Sequence, residues 1–392
     1  MRRTDPRRTD QRRPPEGPAR PRMAVPKMGY LVRSGREGLL LGELAPERHA
    51  RQAGSGFVVA DGRPKDAEAR HLEPVFARQI VLLEGPPIEA DTEAIAERLA
   101  SLVPAQPWTI VVMVPDGGVP RDPRRRIADR IDEEVGAALQ ARIGSEAAAA
   151  FTDELEDAAW VLQVVVVTRS EIAVGLARRS ELFHPIAASR RKNRRAARLE
   201  DAFALAGVTP DPGEEVVELG GRGSWAIHAT TYGAKVLAVG ARGAPEVPVE
   251  PSNPFEFAAT QTWDWVLIDM PRRALEVARL LGKWGRRAWA RQVIASLRLP
   301  DRDPLATIRE AREILEEAGW RGIHIRQLPA DADEVTLTAW LDPKLAARGP
   351  REPFGARMKA KRELRESLEA RRHWLDAKRE RKRKSRAKAL EE

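Results

Sequence analysis

Three short stretches carry side chains whose types and spacing suit chemistry. Residues 216–225 read VVELGGRGSW, an apolar strand that ends in an acid and a glycine turn. In a doubly wound α/β domain that order marks the entrance to a nucleotide-type cofactor site, because glycine permits positive φ and close backbone approach. The same text also fits an ordinary strand-to-helix turn with no ligand. Residues 266–271, VLIDMP, end a second apolar strand on Asp269. Strand ends of such sheets face the ligand crevice, although a carboxylate there can equally cap the helix that follows. Residues 190–198, RRKNRRAAR, place Arg190, Arg191, Lys192, Arg194, Arg195 and Arg198 within nine positions. That density suits contact with a nucleic-acid backbone, the alternative being a solvated helix face.

Regular elements must hold these groups. The second half reads as strands at 215–219, 235–239, 265–268, 292–297, 322–327 and 334–341, with helical patterns at 224–232, 272–284 and 304–318. Strands alternating with helices call for a largely parallel sheet covered on both faces. The last two strands are joined only by LPADAD, too short for a crossover, and should pair antiparallel. In the first half, strands are expected at GYLVRS, 75–85, 108–115 and 160–168, the last continuing into a hairpin with EIAVGLARR. Helical text covers 91–103 and the Ala- and Glu-rich run 124–156. This half reads as small α+β modules.

The 392-residue chain is long enough for two or three cores, and no apolar run approaches the ~20 residues that span a bilayer. With no cysteine, disulfides and thiolate sites are excluded, and the six histidines lack ligand spacing, so no metal is expected. The start is Arg- and Pro-rich with no apolar h-region, so no secretory signal is expected and a cytoplasmic location is the expectation. The net charge of +9 is unevenly spread. Residues 1–22 hold eight arginines against three acids, and residues 351–392 hold sixteen Lys/Arg against eight. The middle of the chain is therefore slightly acidic, and the basic arms favour a polyanion, RNA or DNA, or else merely solubilise. The tail from 350 carries Leu364, Leu368 and Leu375 on a loose helical stripe.

The run WDWVLIDMPRRALEVARLLGKWGRRAWARQVIASLRLP (263–300), followed by RQLPADADEVTLTAWL, resembles the RlmM family of bacterial large-subunit rRNA cytidine 2′-O-methyltransferases, within the wider FtsJ-like group. RLEDAF (198–203) and VVELGGRGSW extend the likeness, and VFARQ (75–79) with the strand 161–168 resembles that family's ferredoxin-like and THUMP-like RNA-binding modules. About residues 25–345 are covered, the run 263–300 most specifically. The resemblance implies a fold in which a basic disordered tail (1–23), a ferredoxin-like module (24–90) and a THUMP-like module (91–183) precede a Rossmann-like methyltransferase domain (184–345) and a basic tail (346–392). It further implies S-adenosylmethionine as cofactor, large-subunit rRNA as partner, and a monomer without metal or membrane association.

The family's Lys-Asp-Lys-Glu catalytic tetrad then falls on Arg198, Asp269, Arg298 and Glu334, with Lys192 as the alternative first member if the segment slips. Both lysines are thus replaced by arginine. A buried lysine can orient a ribose hydroxyl and take its proton, whereas arginine can orient but stays protonated. Cofactor contacts are expected from Glu218, Gly220, Gly223, Trp225, Asn253 and Asp269. The turn GGRGSW is one residue shorter than the family's and inserts Arg222, and Gly240 stands where an acid should hold the cofactor ribose. Glu334 as an edge-strand charge, Arg198 and Arg298 as structural ion pairs or RNA-phosphate contacts, and Trp225 as core packing are the competing roles. Two functions follow: an RNA ribose 2′-O-methyltransferase with weakened cofactor binding, or a degenerate paralogue that binds RNA or the ribosome without methyl transfer. A DNA-binding or purely structural α/β protein is a distant third.

Overall fold

A computed structural model of the chain describes residues 27–44, 49–62, 74–115, 122–179, 194–241, 245–270, 272–329, 331 and 333–347, without the side chains of 194–196. Residues 1–26 and 348–392, which include the basic arms and the leucine stripe, lie outside these residues.

The N-terminal half comprises β1 (Lys27–Leu31), α1 (Glu37–Glu43), β2 (Arg51–Gly54), β3 (Phe57–Asp61), β4 (Gln79–Leu83), β5 (Ile88–Glu89), α2 (Thr92–Ala100), β6 (Trp108–Met113), α3 (Arg124–Gln140), α4 (Ser145–Ala149), β7 (Trp160–Val166) and β8 (Glu171–Arg178). Its strands form one eight-stranded sheet, ordered β2-β3-β1-β4-β8-β7-β6 with β5 on β8. The sheet runs without a break across the expected module boundary at residue 90. The join between β4 and β8 is narrow, a pairing of Leu83 with Gly175. Glycine is required there, since a Cβ on Gly175 would lie 2.4 Å from the Leu82 carbonyl oxygen. The helices α2 and α3 cover one face of β7 and β8 through Ile95, Leu99, Ile131, Val135 and Leu139.

The C-terminal half comprises α5 (Arg194–Ala206), β9 (Glu215–Leu219), α6 (Ser224–Thr230), β10 (Lys235–Val239), β11 (Val249–Glu250), β12 (Trp263–Ile268), α7 (Ala274–Arg286), β13 (Ala290–Arg298), α8 (Pro304–Glu317), β14 (Trp320–Arg326), β15 (Glu334–Leu341) and α9 (Pro343–Ala346). The sheet order is β11-β10-β9-β12-β13-β15-β14. The first five strands are parallel, and β15 inserts antiparallel between β13 and β14. This is a Rossmann-like arrangement whose strand order reverses between β9 and β12, so the crevice lies beyond their C-terminal ends.

Both faces of that sheet are covered, which is why its strands read as apolar runs. Val217, Leu219, Val266 and Ile268 pack on the α7–α8 side with Leu281, Trp284 and Leu315. Their neighbours Val216, Trp265 and Leu267 pack on the α5–α6 side with Leu199, Phe203 and Trp225. The alternation is the two-residue period of a strand. The α7–α8 core continues into the N-terminal half through Tyr30, Leu40 and Phe76.

Most expected elements are present, with three departures. The helical run ends at α4, because Phe151 instead bridges Trp108 alongside β6. The strand expected over 75–85 shrinks to β4, since a turn closes from Ala77 N–H to the Pro74 carbonyl. The elements α1, β2, β3, β5, α5, β11 and α9 were not expected. Among the described residues no helix is long and apolar enough to cross a membrane.

The β4–β8 join makes a test. Gly175→Ala should destabilise the protein by about 2–3 kcal/mol in urea unfolding, as overpacking against backbone does. A change below about 0.5 kcal/mol would mean the two parts of the sheet do not meet there.

Candidate active site

The turn after β9 is built from three left-handed glycines, Gly220 (φ 72), Gly221 (φ 68) and Gly223 (φ 74). Their lack of side chains is used. A Cβ on Gly220 would lie 2.3 Å from the Met270 side chain, and one on Gly221 would lie 2.8 Å from the Asp269 carbonyl oxygen. Glu218 is fully buried beneath them. Its carboxylate accepts hydrogen bonds from Gly223 N–H (3.2 Å) and Ala226 N–H (2.7 Å), so it ties the turn to the start of α6. Burial pushes its pKa up to about 7, opposed by those hydrogen bonds and assisted by the charge of Asp269.

Beside the turn, one guanidinium holds an acid cluster. Arg198 on α5 pairs through Nε with Asp331 (2.7 Å), and through Nη1 with Glu334 (2.7 Å) and Asp269 (3.4 Å). Its Nη2 donates to Ser296 Oγ on β13, and the group lies 5.7 Å over the Trp225 ring. The site is thus assembled from a helix, two strand ends and the β14–β15 loop. Burial alone would lower the Arg198 pKa, but Asp331, Glu334 and Asp269 together outweigh it and raise it. The Asp331 side chain is wholly buried and also accepts from Leu328 N–H (2.9 Å) and Thr336 Oγ1 (3.1 Å). Burial raises its pKa to about 6 despite these partners. Asp269 and Glu334 are less enclosed, their side chains 17% and 24% exposed.

Of the four residues expected to converge, three do. Arg298 lies directly opposite Glu334 in the β13–β15 register and shares a strand face with Ser296, two residues earlier. It sits exposed at the rim and forms no ion pair among the described residues. Asp331 joins the cluster instead, unforeseen among the acids of LPADAD because a loop has no period to say which one turns inward. Ser296 was also missed. Asp269 does not cap α7, whose N-cap is Arg273, and Glu334 is not on an edge strand, because β15 is internal.

Asn253 is exposed, and its side chain is engaged locally. Its Oδ1 accepts from Phe255 N–H (3.1 Å) and its Nδ2 donates to Glu256 (3.1 Å). Trp225 is fully buried in the α5–α6 core. Arg190, Arg191 and Lys192 lie outside the described residues, as do the side chains of Arg194 and Arg195. At the end of β10, Gly240 adopts φ 66, and a Cβ there would lie 2.8 Å from Pro254 and 3.0 Å from the Ser252 carbonyl oxygen. The loop after β11 has closed on the space an acid would need. Two buried hydroxyls near these glycines, Ser224 Oγ and Ser252 Oγ, lack hydrogen-bond partners among the described residues. Orphaned buried polar atoms of this kind are what a polar ligand satisfies. No cluster of His, Cys, Asp or Glu with metal-binding geometry occurs among the described residues.

The chain is similar to curated proteins named Ribosomal RNA large subunit methyltransferase M. It is 34% identical over 138 residues to that of Halorhodospira halophila, covering 33% of this chain and 40% of the relative. It is 29% identical over 176 residues to that of Alkalilimnicola ehrlichii, covering 40% and 48%. The chain therefore matches less than half the length of these relatives. No protein-family model matches. Among solved structures, TrmN from Thermus thermophilus overlaps 81% of this chain and 100% of its own at 19% identity, with a TM-score of 0.32. At that score the overlap bears on neither fold nor site.

Glu218 sets a pH test. Its folded pKa, about 7, exceeds the ordinary 4.5, so its favourable contribution is complete below pH 4.5 and is lost as pH rises through 7. Between pH 5 and pH 8 wild type should therefore lose stability relative to Glu218→Gln, by on the order of 2–3 kcal/mol at about 1.4 kcal/mol per pKa unit. A pH-independent gap between the two chemical denaturation curves would show that Glu218 is ionised without penalty.

Proposed function

We propose that this protein is an S-adenosylmethionine-dependent ribose 2′-O-methyltransferase of RNA, with large-subunit rRNA as its target, and that its N-terminal modules contact the RNA. The observation that carries the reading is the Arg198 cluster with Asp269 and Glu334, standing beside a three-glycine turn at the switch point of a Rossmann-like sheet. Sequence similarity to curated large-subunit rRNA methyltransferases supports it. The protein is taken to act in the cytoplasm as a monomer.

Gly220, Gly221 and Gly223, with Ser224 and Ser252, would hold the cofactor, whose sulfonium supplies an electrophilic methyl group when bound. The protein's own groups do the rest. Arg198 is rigidly held and donates hydrogen bonds toward an oxygen that becomes negative as it loses its proton. It cannot take that proton. Asp269 and Glu334, the two partly exposed carboxylates, are placed to accept it. Without an internal lysine base, turnover falls about 10²–10⁴-fold below that of a lysine-based site. With no acid at Gly240, cofactor affinity falls by about one to two decades, the worth of a charge-assisted hydrogen bond.

A second reading, an RNA-binding paralogue without chemistry, is favoured by the way Arg198 is consumed by Asp331, Glu334, Asp269 and Ser296. Calorimetry and labelling separate the two. S-adenosylhomocysteine should bind with a Kd on the order of 10–100 μM. Labelled S-adenosylmethionine with undermethylated large-subunit rRNA should yield a 2′-O-methyl nucleotide slowly, and faster with Arg198→Lys. No binding at millimolar ligand and no labelled RNA with either protein would leave the non-catalytic reading alone.

A further inference from the structure

At the rim of the acid cluster, two cations from the N-terminal half converge on one anion. Arg33 Nη1 and Arg36 Nη2 both reach the same oxygen of Asp333, at 3.1 and 3.2 Å. The arginine side chains are 32% and 25% exposed, whereas Asp333 is 61% exposed. One carboxylate cannot neutralise two guanidinium groups, so the trio leaves a positive charge facing solvent. The arrangement is also prearranged. Glu37, buried, accepts from Gly35 N–H (2.7 Å) and Gly56 N–H (2.8 Å), which fixes the bend between the two arginines.

Two guanidinium forks aimed at a single oxyanion match the way arginine pairs recognise phosphate. The most exposed member is the acid, and exposed ion pairs of this kind are weak and easily exchanged. Position adds to the case. Asp333 immediately precedes Glu334, whose carboxylate meets Arg198, and Asp331 lies two residues back. The backbone at Asp331 is anchored separately, with Arg78 Nη2 donating to its carbonyl at 2.8 Å, so Asp333 can let go without freeing Asp331.

We propose that Arg33 and Arg36 clamp a phosphodiester of the RNA strand that enters the Arg198 site, and that Asp333 is the anion they hold until RNA displaces it. The inference rests on the RNA target proposed above and names the residues that receive its backbone.

The test is fluorescence anisotropy of full-length protein with a fluorescein-labelled 30-nucleotide RNA hairpin between 50 and 200 mM salt. Asp333→Ala, which removes the competitor, should tighten binding about three- to tenfold. The double substitution Arg33→Ala/Arg36→Ala should weaken it at least about tenfold and flatten the dependence of log K on log salt by about 1–2. Arg279→Ala, whose exposed partner Glu310 lies on α8, should change neither. If Asp333→Ala weakens binding or leaves it unchanged, the clamp is wrong, and that variant alone decides the matter should the double variant not fold. If all variants bind like wild type, only the clamp falls. If wild type binds no RNA, or binds a duplex DNA of equal length as well, the RNA target falls with it.

Discussion

One buried guanidinium meeting three carboxylates is the constraint on which the C-terminal half depends. Asp269, Asp331 and Glu334 come from the end of β12, the loop after β14 and the start of β15. Left together without Arg198 they would repel one another in a poorly solvated space, and a buried charge stripped of its partner costs several kcal/mol. The cluster therefore binds α5 to three parts of the sheet. It also assigns roles by burial. Asp331, wholly enclosed, holds Arg198 in orientation, while Asp269 and Glu334 reach the crevice.

The same loop ties the two halves of the molecule together. Gln327 N–H donates to the Val75 carbonyl (2.7 Å), Arg78 reaches the Asp331 carbonyl, and Arg33 and Arg36 hold Asp333. Glu43, whose pKa burial raises to about 7, accepts from Val75 and Phe76 N–H groups and feels the charge of Arg326. The residues that orient Arg198 are thus gripped by α1 and the loops of the N-terminal half. RNA bound to that half would act directly on the segment that shapes the site.

Much of this was legible in the sequence, for physical reasons that differ by residue. The strands β9, β10 and β15 fall on the expected spans because parallel and internal strands are apolar on both faces. Arg198, Asp269 and Glu334 were singled out by the family resemblance carried by RLEDAF, LIDMP and DEVT, and Asp269 also by its place at the end of an apolar strand. Asp331 was not, since nothing in LPADAD distinguishes an inward acid from an outward one. Arg298 was placed with the cluster by the resemblance of SLRLP, and the strand register does put it opposite Glu334, but a long side chain at a strand end is free to turn to solvent. The element α1 was hidden by GLLLGE, too short to display a helical period, and β2 by its exposed, polar RQAG. The fate of Gly240 could be suspected from the missing acid, but the closure of Pro254 upon it is a tertiary fact.

The central claim is that Arg198 and Asp331 form the coupled core of the site. A double-mutant cycle with Arg198→Met and Asp331→Asn, read by chemical denaturation at pH 7.5, measures it most directly. The account predicts a coupling energy of about 2–3 kcal/mol, within the range for contacting buried charges. A coupling below about 0.5 kcal/mol would contradict it, because Arg198 would then be held by something other than the acid that encloses it.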